Sequence, residues 1–172
     1  KQFLTEHNLT DKPIIAILPG SRKQENTKML SVMLDMAPHF PEYQFVIAGA
    51  PSQHKSFYDP FIRNTKVGFV QNKTYDLLSL SYAALVTSGT ATLETALFKI
   101  PEVVCYKTSS ISYAIGKRLV KNIKYISLVN LILDKPAVTE LIQEDFNEGR
   151  LRTELTALLD RDRREKIFED YY

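Results

Sequence analysis

Apolar runs rich in β-branched residues alternate with segments of helical length along this 172-residue chain. The first run, Ile14–Leu18, is apolar at every position, which is typical of a strand that is covered on both faces of a sheet. A repeated order of strand, helix and strand needs helical crossovers and therefore predicts a parallel sheet. The predicted strands are Ile14–Leu18, Gln44–Ala48, Lys66–Val70, Ala83–Thr87 and Glu102–Tyr106.

The segments between these strands have helical patterns, and the chain after Tyr125 is mostly helical in pattern. The predicted helices are Gln24–Ala37, Ser52–Arg63, Lys73–Ser81, Thr90–Lys99, Ser110–Lys121, Val138–Gln143 and Gly149–Asp160. One Rossmann-like, doubly wound α/β domain accounts for residues 1–172, with an incomplete C-terminal helix over about 161–172. Because the chain starts at Lys1 and stops within that helix, we expect a fragment of a longer two-domain protein.

The composition argues against several classes of protein. A formal net charge of +2 gives no bulk basic character for nucleic-acid binding. The single cysteine, Cys105, has no partner for an internal disulfide, which indicates a reducing compartment. The three histidines lack the spacing of metal ligands. No apolar stretch approaches the roughly 20 residues that span a bilayer.

The turn after the first strand brings together residue types that suit an anion. Pro19 and Gly20 end the strand, and Ser21 with Gln24 matches a capping box at the start of a helix. The free amides of that helix end attract an anion, and the planar guanidinium of Arg22 suits phosphate oxygens. A capped helix with a solvated arginine explains the same residues equally well. The turn has neither a G-x-G-x-x-G pattern nor a Walker lysine.

The turn after the fourth strand repeats this arrangement. Gly89 allows close approach to the backbone, and Ser88 and Thr90 offer hydroxyls beside the amides of a second helix end. Glu94 follows one turn later, where a carboxylate favours the helix dipole. It is also able to accept hydrogen bonds from the two vicinal hydroxyls of a ribose. Two phosphate-type turns and one carboxylate in the same predicted sheet indicate a nucleotide site.

Five segments in this order resemble one known family. They are LPGSRKQE, TSGTATLETAL, PEVVCYKTS, AIGKRLVKNIKYISLVNLIL and TELIQED, and together they cover the chain from about Pro13 to Phe146. They are similar to the C-terminal half of the lipid-A-disaccharide synthases, which are glycosyltransferases of the two-Rossmann-domain (GT-B) type. The KRLVK and YISL-x-N part is the more specific, because other sugar-nucleotide enzymes share the SGTATLE part.

The resemblance implies transfer of 2,3-diacylglucosamine from its UDP derivative to 2,3-diacylglucosamine 1-phosphate, with release of UDP. It implies no metal and no other cofactor, because helix dipoles and cations neutralise the leaving diphosphate. The general base is expected in an N-terminal domain, so no catalytic residue is assigned in this chain, which alone should be inactive. The further expected partner is that domain. The resemblance also implies a cytoplasmic protein that contacts the surface of the inner membrane of a Gram-negative bacterium. Assembly of the intact enzyme into an oligomer stays open.

The resemblance also assigns roles to residues of this chain. The diphosphate would lie between two sets of residues, Gly20, Ser21 and Arg22 on one side and Ser88, Gly89 and Thr90 on the other. Glu94 would bind the ribose hydroxyls, and the loop with Val70 and Gln71 would read uracil through its backbone. Asn130 and Gln143 would contact the donor sugar or a phosphate, although Val129 stands where the family has proline. A cap of the following segment is the alternative for Asn130, and a solvated helix position is the alternative for Gln143. The residues expected to contact lipid are Lys117, Arg118 and Lys121, for which a solvated cationic face is the simpler explanation.

Two other functions remain open at this point. One is a different UDP-sugar enzyme, such as the glycosyltransferase of lipid II synthesis or a UDP-N-acetylglucosamine 2-epimerase. The other is a non-catalytic nucleotide-binding module, which would bind nucleotide without any partner domain.

Overall fold

A six-stranded parallel sheet organises the computed structural model of the chain. The structure describes residue 5 and residues 9–19, 30–49, 55–62, 67–71, 73–87, 90–106, 128–133, 135, 137–142 and 146–171. Within them the strands are β1 (Ile14–Leu18), β2 (Gln44–Gly49), β3 (Gly68–Gln71), β4 (Ser81–Thr87), β5 (Glu102–Tyr106) and β6 (Thr139–Ile142). The helices are α1 (Lys55–Ile62), α2 (Thr74–Leu80), α3 (Thr90–Leu97), α4 (Leu128–Leu133), α5 (Glu148–Leu158) and α6 (Arg161–Tyr171).

The strand order is β3-β2-β1-β4-β5-β6, which is the doubly wound order of the Rossmann fold. The chain builds outward from β1 to β3 and then crosses back to place β4 on the other side of β1. The order therefore reverses between β1 and β4. In such sheets a ligand binds beyond the carboxyl ends of the strands at this reversal. The predicted fold class is confirmed.

Both faces of the sheet are buried, as the continuous apolar strands predict. Ile15 and Ile17 of β1 belong to one core cluster, which contains buried side chains of α5 and α6. Ile14, Ala16 and Leu18 belong to a second cluster, on the opposite face, which contains the buried leucines of α2. Alternate residues of one strand thus contribute to two separate cores.

The predicted helix at Val138–Gln143 is wrong, because these residues include strand β6. β6 pairs in parallel with β5, with Val103 opposite Thr139 and Cys105 opposite Leu141. This register buries Leu141 completely in the core. Pairing with the open edge of β5 and burial of an apolar side chain outweigh the helix-favouring composition of the segment.

Helix boundaries differ more from the predictions than strand boundaries do. Residues 30–34 are helical, but a turn follows and Ala37–His39 forms a short 3₁₀ helix, so the predicted α-helix ends before Ala37. The proline in that 3₁₀ helix lacks the N–H that a continuing helix needs. The predicted helix at residues 110–121 lies outside the described residues.

Helix α6 crosses the edge of the sheet at which the strands begin, here called the amino edge. Arg164 donates from Nη1 to the carbonyl oxygen of Tyr82 at 2.6 Å, and its guanidinium lies 3.5 Å from the centroid of the Tyr82 ring. Tyr171 donates its hydroxyl to the carbonyl oxygen of Ile100 at 2.9 Å. Asp170 forms an ion pair with Lys135 at 2.8 Å. These contacts fasten α6 to the starts of β4 and β5.

A buried carboxyl lies under this helix. Glu102, the first residue of β5, is fully buried, and its Oε2 is 3.3 Å from the hydroxyl of Tyr171. Among the described residues, none forms a hydrogen bond with its Oε1. Burial raises the pKa of Glu102 well above the ordinary glutamate value of 4.5, and the Tyr171 hydrogen bond opposes this shift only in part. The folded protein therefore holds the Glu102 proton more tightly than the unfolded chain does.

This shift predicts that stability decreases as pH rises. The contribution of protonated Glu102 is complete below pH 4.5 and is lost as pH rises through its higher pKa in the folded state. We expect Glu102→Gln to raise the free energy of unfolding at pH 7.5 by on the order of 1–2 kcal/mol, because a neutral amide is cheaper to bury than a carboxylate. Urea unfolding at pH 5 and pH 7.5 measures both effects. The exposed Glu169→Gln is the control for loss of one negative charge. Equal pH dependence in the wild type and Glu102→Gln would contradict this account.

Candidate nucleotide-binding site

The ends of β1 and β4 meet where the strand order reverses. Leu18 lies opposite Val86 in the strand register, and the buried Thr87 donates its hydroxyl to the carbonyl oxygen of Leu18 at 3.2 Å. Pro19 follows β1 directly, and helix α3 begins at Thr90, three residues after Thr87. The two turns singled out in the sequence therefore leave adjacent strands at the same edge of the sheet. This is the edge at which strands end, here called the carboxyl edge.

Most of the residues assigned to the diphosphate lie outside the described part of the chain. These are Gly20, Ser21, Arg22, Ser88 and Gly89. The structure fixes where both turns start, at Leu18 and Thr87, and where the second one enters α3. Neighbouring strands lie about 4.8 Å apart, so two turns leaving them are close enough to reach one diphosphate. Their role in binding it stays a prediction.

Glu94 lies half-buried on α3, and its carboxylate has a described partner. The hydroxyl of Tyr75 donates to Glu94 Oε1 at 3.3 Å. The negative charge of Glu94 raises the pKa of Tyr75, and the hydrogen bond between the two adds to the shift. The phenol therefore stays neutral and able to donate over a wide range of pH.

The carboxyl end of β3 carries the residues predicted to read the base. Val70 is buried in the core, so any contact of this residue with a base must come from its backbone. Gln71 is half-buried and lies opposite Gly49 at the end of β2. Helix α2 starts at Thr74, which places Tyr75 close to this loop in the chain. The role of Val70 and Gln71 remains a prediction.

Asn130 has a well-defined structural environment. Its side chain is buried, accepts from the Val138 amide at 3.0 Å and donates to the Val138 carbonyl oxygen at 2.8 Å. It also donates to Glu140 Oε2 at 3.0 Å. These bonds attach α4 to the start of β6. A contact of Asn130 with a donor sugar stays a prediction beside this structural role.

The other assigned residues lie outside the described part of the chain: Gln143, Lys117, Arg118 and Lys121. In the sequence Gln143 directly follows Ile142, the last residue of β6. Cys105 is fully buried in β5, and burial raises the pKa of its thiol, which disfavours the nucleophilic thiolate. The described residues contain no group of three or more His, Cys, Asp and Glu side chains that would hold a metal ion.

Sequence reasoning missed two residues at this edge. The sequence pattern places Thr87 only in a strand, yet its hydroxyl joins the two strand ends. Its position just before Ser88-Gly89 is the one sequence signal for this role. Nothing in the local sequence marks Tyr75, because its contact with Glu94 depends on how two successive helices pack together.

Comparisons with known proteins agree with this geometry. The family model for lipid-A-disaccharide synthetase matches residues 2–172. A lipid-A-disaccharide synthase of Syntrophus aciditrophicus is 39% identical over 168 residues, which are 93% of this chain and 44% of that protein. One from Coxiella burnetii is 34% identical over 153 residues, covering 87% of this chain and 40% of that protein. The chain thus spans less than half the length of these relatives.

Solved structures support the fold. The chain is similar to UDP-GlcNAc 2-epimerase from Neisseria meningitidis bound to UDP-GlcNAc, with a TM-score of 0.61 at 19% identity over 99% of this chain and 43% of that one. It is also similar to the rhamnosyltransferase of spinosyn synthesis, with a TM-score of 0.62 at 15% identity over 94% of this chain and 41% of that one. At such identities the likeness concerns the fold alone. The match of the family model over residues 2–172 is specific, and it shows that this chain belongs to the lipid-A-disaccharide synthetase family.

Proposed function

We propose that this chain is the UDP-donor-binding half of a lipid-A-disaccharide synthase. The intact enzyme would transfer 2,3-diacylglucosamine from UDP-2,3-diacylglucosamine to 2,3-diacylglucosamine 1-phosphate and release UDP. Membership in the family and the names of its relatives support the reaction. The chain matches 44% of the Syntrophus aciditrophicus relative, which supports a donor half that works with a second domain.

The observation that carries the assignment of this half is the contact between the ends of β1 and β4. Thr87 bonds to the carbonyl of Leu18 at the reversal of strand order, so the turns that follow leave side by side. Helix α3 starts there and directs its amino end, with its partial positive charge, to the carboxyl edge. A diphosphate between these turns would meet free amides, hydroxyls and the guanidinium of Arg22. This environment stabilises a leaving diphosphate without a metal ion.

The ribose and the uracil base of the nucleotide would lie beside different strands at the carboxyl edge. Glu94, one turn into α3, would accept the ribose hydroxyls, and the loop after β3 would read uracil. The donor sugar would extend towards the part of the carboxyl edge where β6 ends at Ile142, the residue before Gln143 in the sequence. The general base and most of the acceptor site would belong to the second domain, so the chain alone should bind UDP without turnover.

A place at the inner-membrane surface is part of the proposal, because the substrates carry acyl chains. The described residues contain no helix that is long and apolar enough to cross a bilayer. Contact with anionic headgroups through Lys117, Arg118 and Lys121 would suit such a surface. Co-sedimentation with vesicles that contain anionic lipid tests this contact.

Calorimetric titration of the chain with UDP, GDP and UMP tests the donor-site assignment. We expect saturable binding that is tightest for UDP. Arg22→Ala and Glu94→Ala should each weaken UDP binding by about 10- to 100-fold, because each removes a hydrogen bond that involves a charged group, about 1.5–3 kcal/mol.

Matched controls come from α5 and α6, which carry none of the residues assigned to the site. Arg152→Ala on α5 and Glu169→Ala on α6 remove exposed side chains of the same types and should leave UDP binding unchanged. Absence of UDP binding at millimolar concentration by the folded chain would count against a preformed donor site. Equal affinity for UDP and GDP would count against the assignment of the base loop.

A further inference from the structure

Tyr75 has no role in the assignments above, although it contacts the residue predicted to bind ribose. It is the second residue of α2, and its hydroxyl donates to Glu94 Oε1 at 3.3 Å. The Tyr75 side chain is 57% exposed and that of Glu94 is half-buried, so solvent and a small ligand are able to reach both. A hydrogen bond between side chains this accessible contributes little to the stability of the fold.

The contact connects two parts of the proposed site that follow different strands of the sheet. Helix α2 follows β3 and the loop predicted to read the base, whereas α3 follows β4 and the turn predicted to hold phosphate. β2 and β1 lie between those two strands in the sheet. The two helices meet because the crossover from β3 back to β4 carries α2 to the face of the sheet that α3 also covers. Tyr75 thus joins the base side of the site to its ribose side.

A second contact limits the freedom of the Tyr75 ring. Its centroid lies 5.5 Å from that of Phe98, at an interplanar angle of 30°. Phe98 follows the end of α3, one turn beyond Glu94, so α3 supports both the ring and the hydroxyl of Tyr75. A tyrosine held at two points is able to restrict the carboxylate that it contacts.

Restriction of Glu94 has a chemical consequence. Each oxygen of a carboxylate accepts about two hydrogen bonds. The hydroxyl of Tyr75 therefore uses about one of the four hydrogen bonds that the Glu94 carboxylate is able to accept, and a ligand is able to use the others. An unrestrained glutamate loses side-chain entropy when a ligand orders it. A carboxylate that is already oriented avoids part of this cost on binding.

We propose that Tyr75 is a positioning and specificity residue of the nucleotide site, which holds Glu94 in the orientation that accepts both hydroxyls of a ribose. The proposal rests on the donor-site function given above. It follows that Tyr75 raises affinity for ribonucleotides and has little effect on nucleotides that lack the 2′-hydroxyl. The hydroxyl of Tyr75 is the group responsible, and the ring alone is insufficient.

The test is calorimetric titration with UDP and 2′-deoxy-UDP. We expect the wild type to bind UDP more tightly than 2′-deoxy-UDP. Tyr75→Phe keeps the ring contact with Phe98 and removes the hydroxyl, so it should weaken UDP binding by about three- to tenfold, which corresponds to one ordinary hydrogen bond. Tyr75→Phe should leave 2′-deoxy-UDP binding nearly unchanged. The ratio of the affinity for UDP to the affinity for 2′-deoxy-UDP should therefore be lower in this variant than in the wild type.

A double-mutant cycle with Glu94→Gln separates positioning from a general effect. In the Glu94→Gln background, Tyr75→Phe should have no further effect on the affinity ratio. Tyr43→Phe is the matched control, because Tyr43 precedes β2 at the amino edge and contacts Tyr82 there. It should leave both affinities as in the wild type. Circular dichroism and the urea midpoint of Tyr75→Phe should match the wild type.

The outcomes distinguish this inference from the function on which it rests. If the wild type binds no UDP, the donor-site function fails and the role of Tyr75 fails with it. If the wild type binds UDP and Tyr75→Phe has the same affinity ratio, the donor site stands and the role of Tyr75 is overturned. An equal loss for UDP and 2′-deoxy-UDP also overturns it, because that result shows no selectivity for the ribose.

Discussion

Asn130→Ala should lower the free energy of unfolding by about 3 kcal/mol. The substitution leaves the N–H and carbonyl of Val138 without the amide that they bond, and Val138 is buried. Each buried polar group left without a partner costs about 1–3 kcal/mol. Glu140 also loses a donor at 3.0 Å. Because these bonds attach α4 to β6, we expect β6 to separate from β5 more readily than the other strands separate from their neighbours. Urea unfolding followed by circular dichroism measures the loss, and hydrogen exchange at residues 139–142 locates it.

Asn130→Asp is the informative partner to this variant. A carboxylate still accepts from the Val138 amide, but it is unable to donate to the Val138 carbonyl and it places a negative charge beside Glu140. We expect a deficit at pH 7.5 that becomes smaller towards pH 4, where a protonated carboxyl again donates. A urea midpoint equal to that of the wild type in both variants would contradict the structural role of Asn130.

Leu85→Ala should lower the free energy of unfolding by about 2–5 kcal/mol, because it removes buried methyl groups from the centre of the sheet and leaves a cavity. Leu85 is fully buried in β4 and lies opposite Ile17 of β1. These two strands are the ones that meet at the reversal of strand order. We therefore also expect weaker UDP binding, in proportion to the unfolded population, in this variant. Chemical denaturation with a two-state analysis gives the stability difference.

Leu97→Ala is the matched control for that measurement. Leu97 is 72% exposed at the end of α3, so the same chemical change there removes no packed group. The free energy of unfolding should change by less than about 0.5 kcal/mol. A loss above 1 kcal/mol in Leu97→Ala would show that a further surface covers it, and a loss below 1 kcal/mol in Leu85→Ala would contradict the close packing of the core.

The strands show why so much of the fold was accessible from the sequence. β1 and β5 have the predicted boundaries, Ile14–Leu18 and Glu102–Tyr106, since each starts directly after a proline and contains a short apolar run. Strand Thr139–Ile142 was predicted as a helix because its sequence, TELI, has no β-branched run. Its state depends on the free edge of β5, and a local pattern contains no information about an edge that forms elsewhere in the chain.

The candidate site likewise has one part that was predictable from the sequence and another part that was not. The two turns were identified from their residue types alone, because glycine, hydroxyls and arginine at a helix start have local chemical meaning. Their adjacency depends on strand order, which appears only in the assembled sheet through the contact of Thr87 with Leu18. The buried environment of Asn130 was likewise not predictable, since its partner Val138 lies in a segment predicted as helix.

The attachment of α6 to the amino edge determines when the start of β4 becomes covered during synthesis of the chain. Arg164 bonds to the carbonyl of Tyr82, which precedes it by 82 positions. At about 5–20 residues per second, a ribosome takes about 4–16 s to pass from one to the other. During that interval the β4 segment is already part of the nascent chain, whereas the arginine that covers its first residues is still to be made. We therefore expect the beginning of β4 to be open to chaperones until α6 has been synthesised and has left the ribosome.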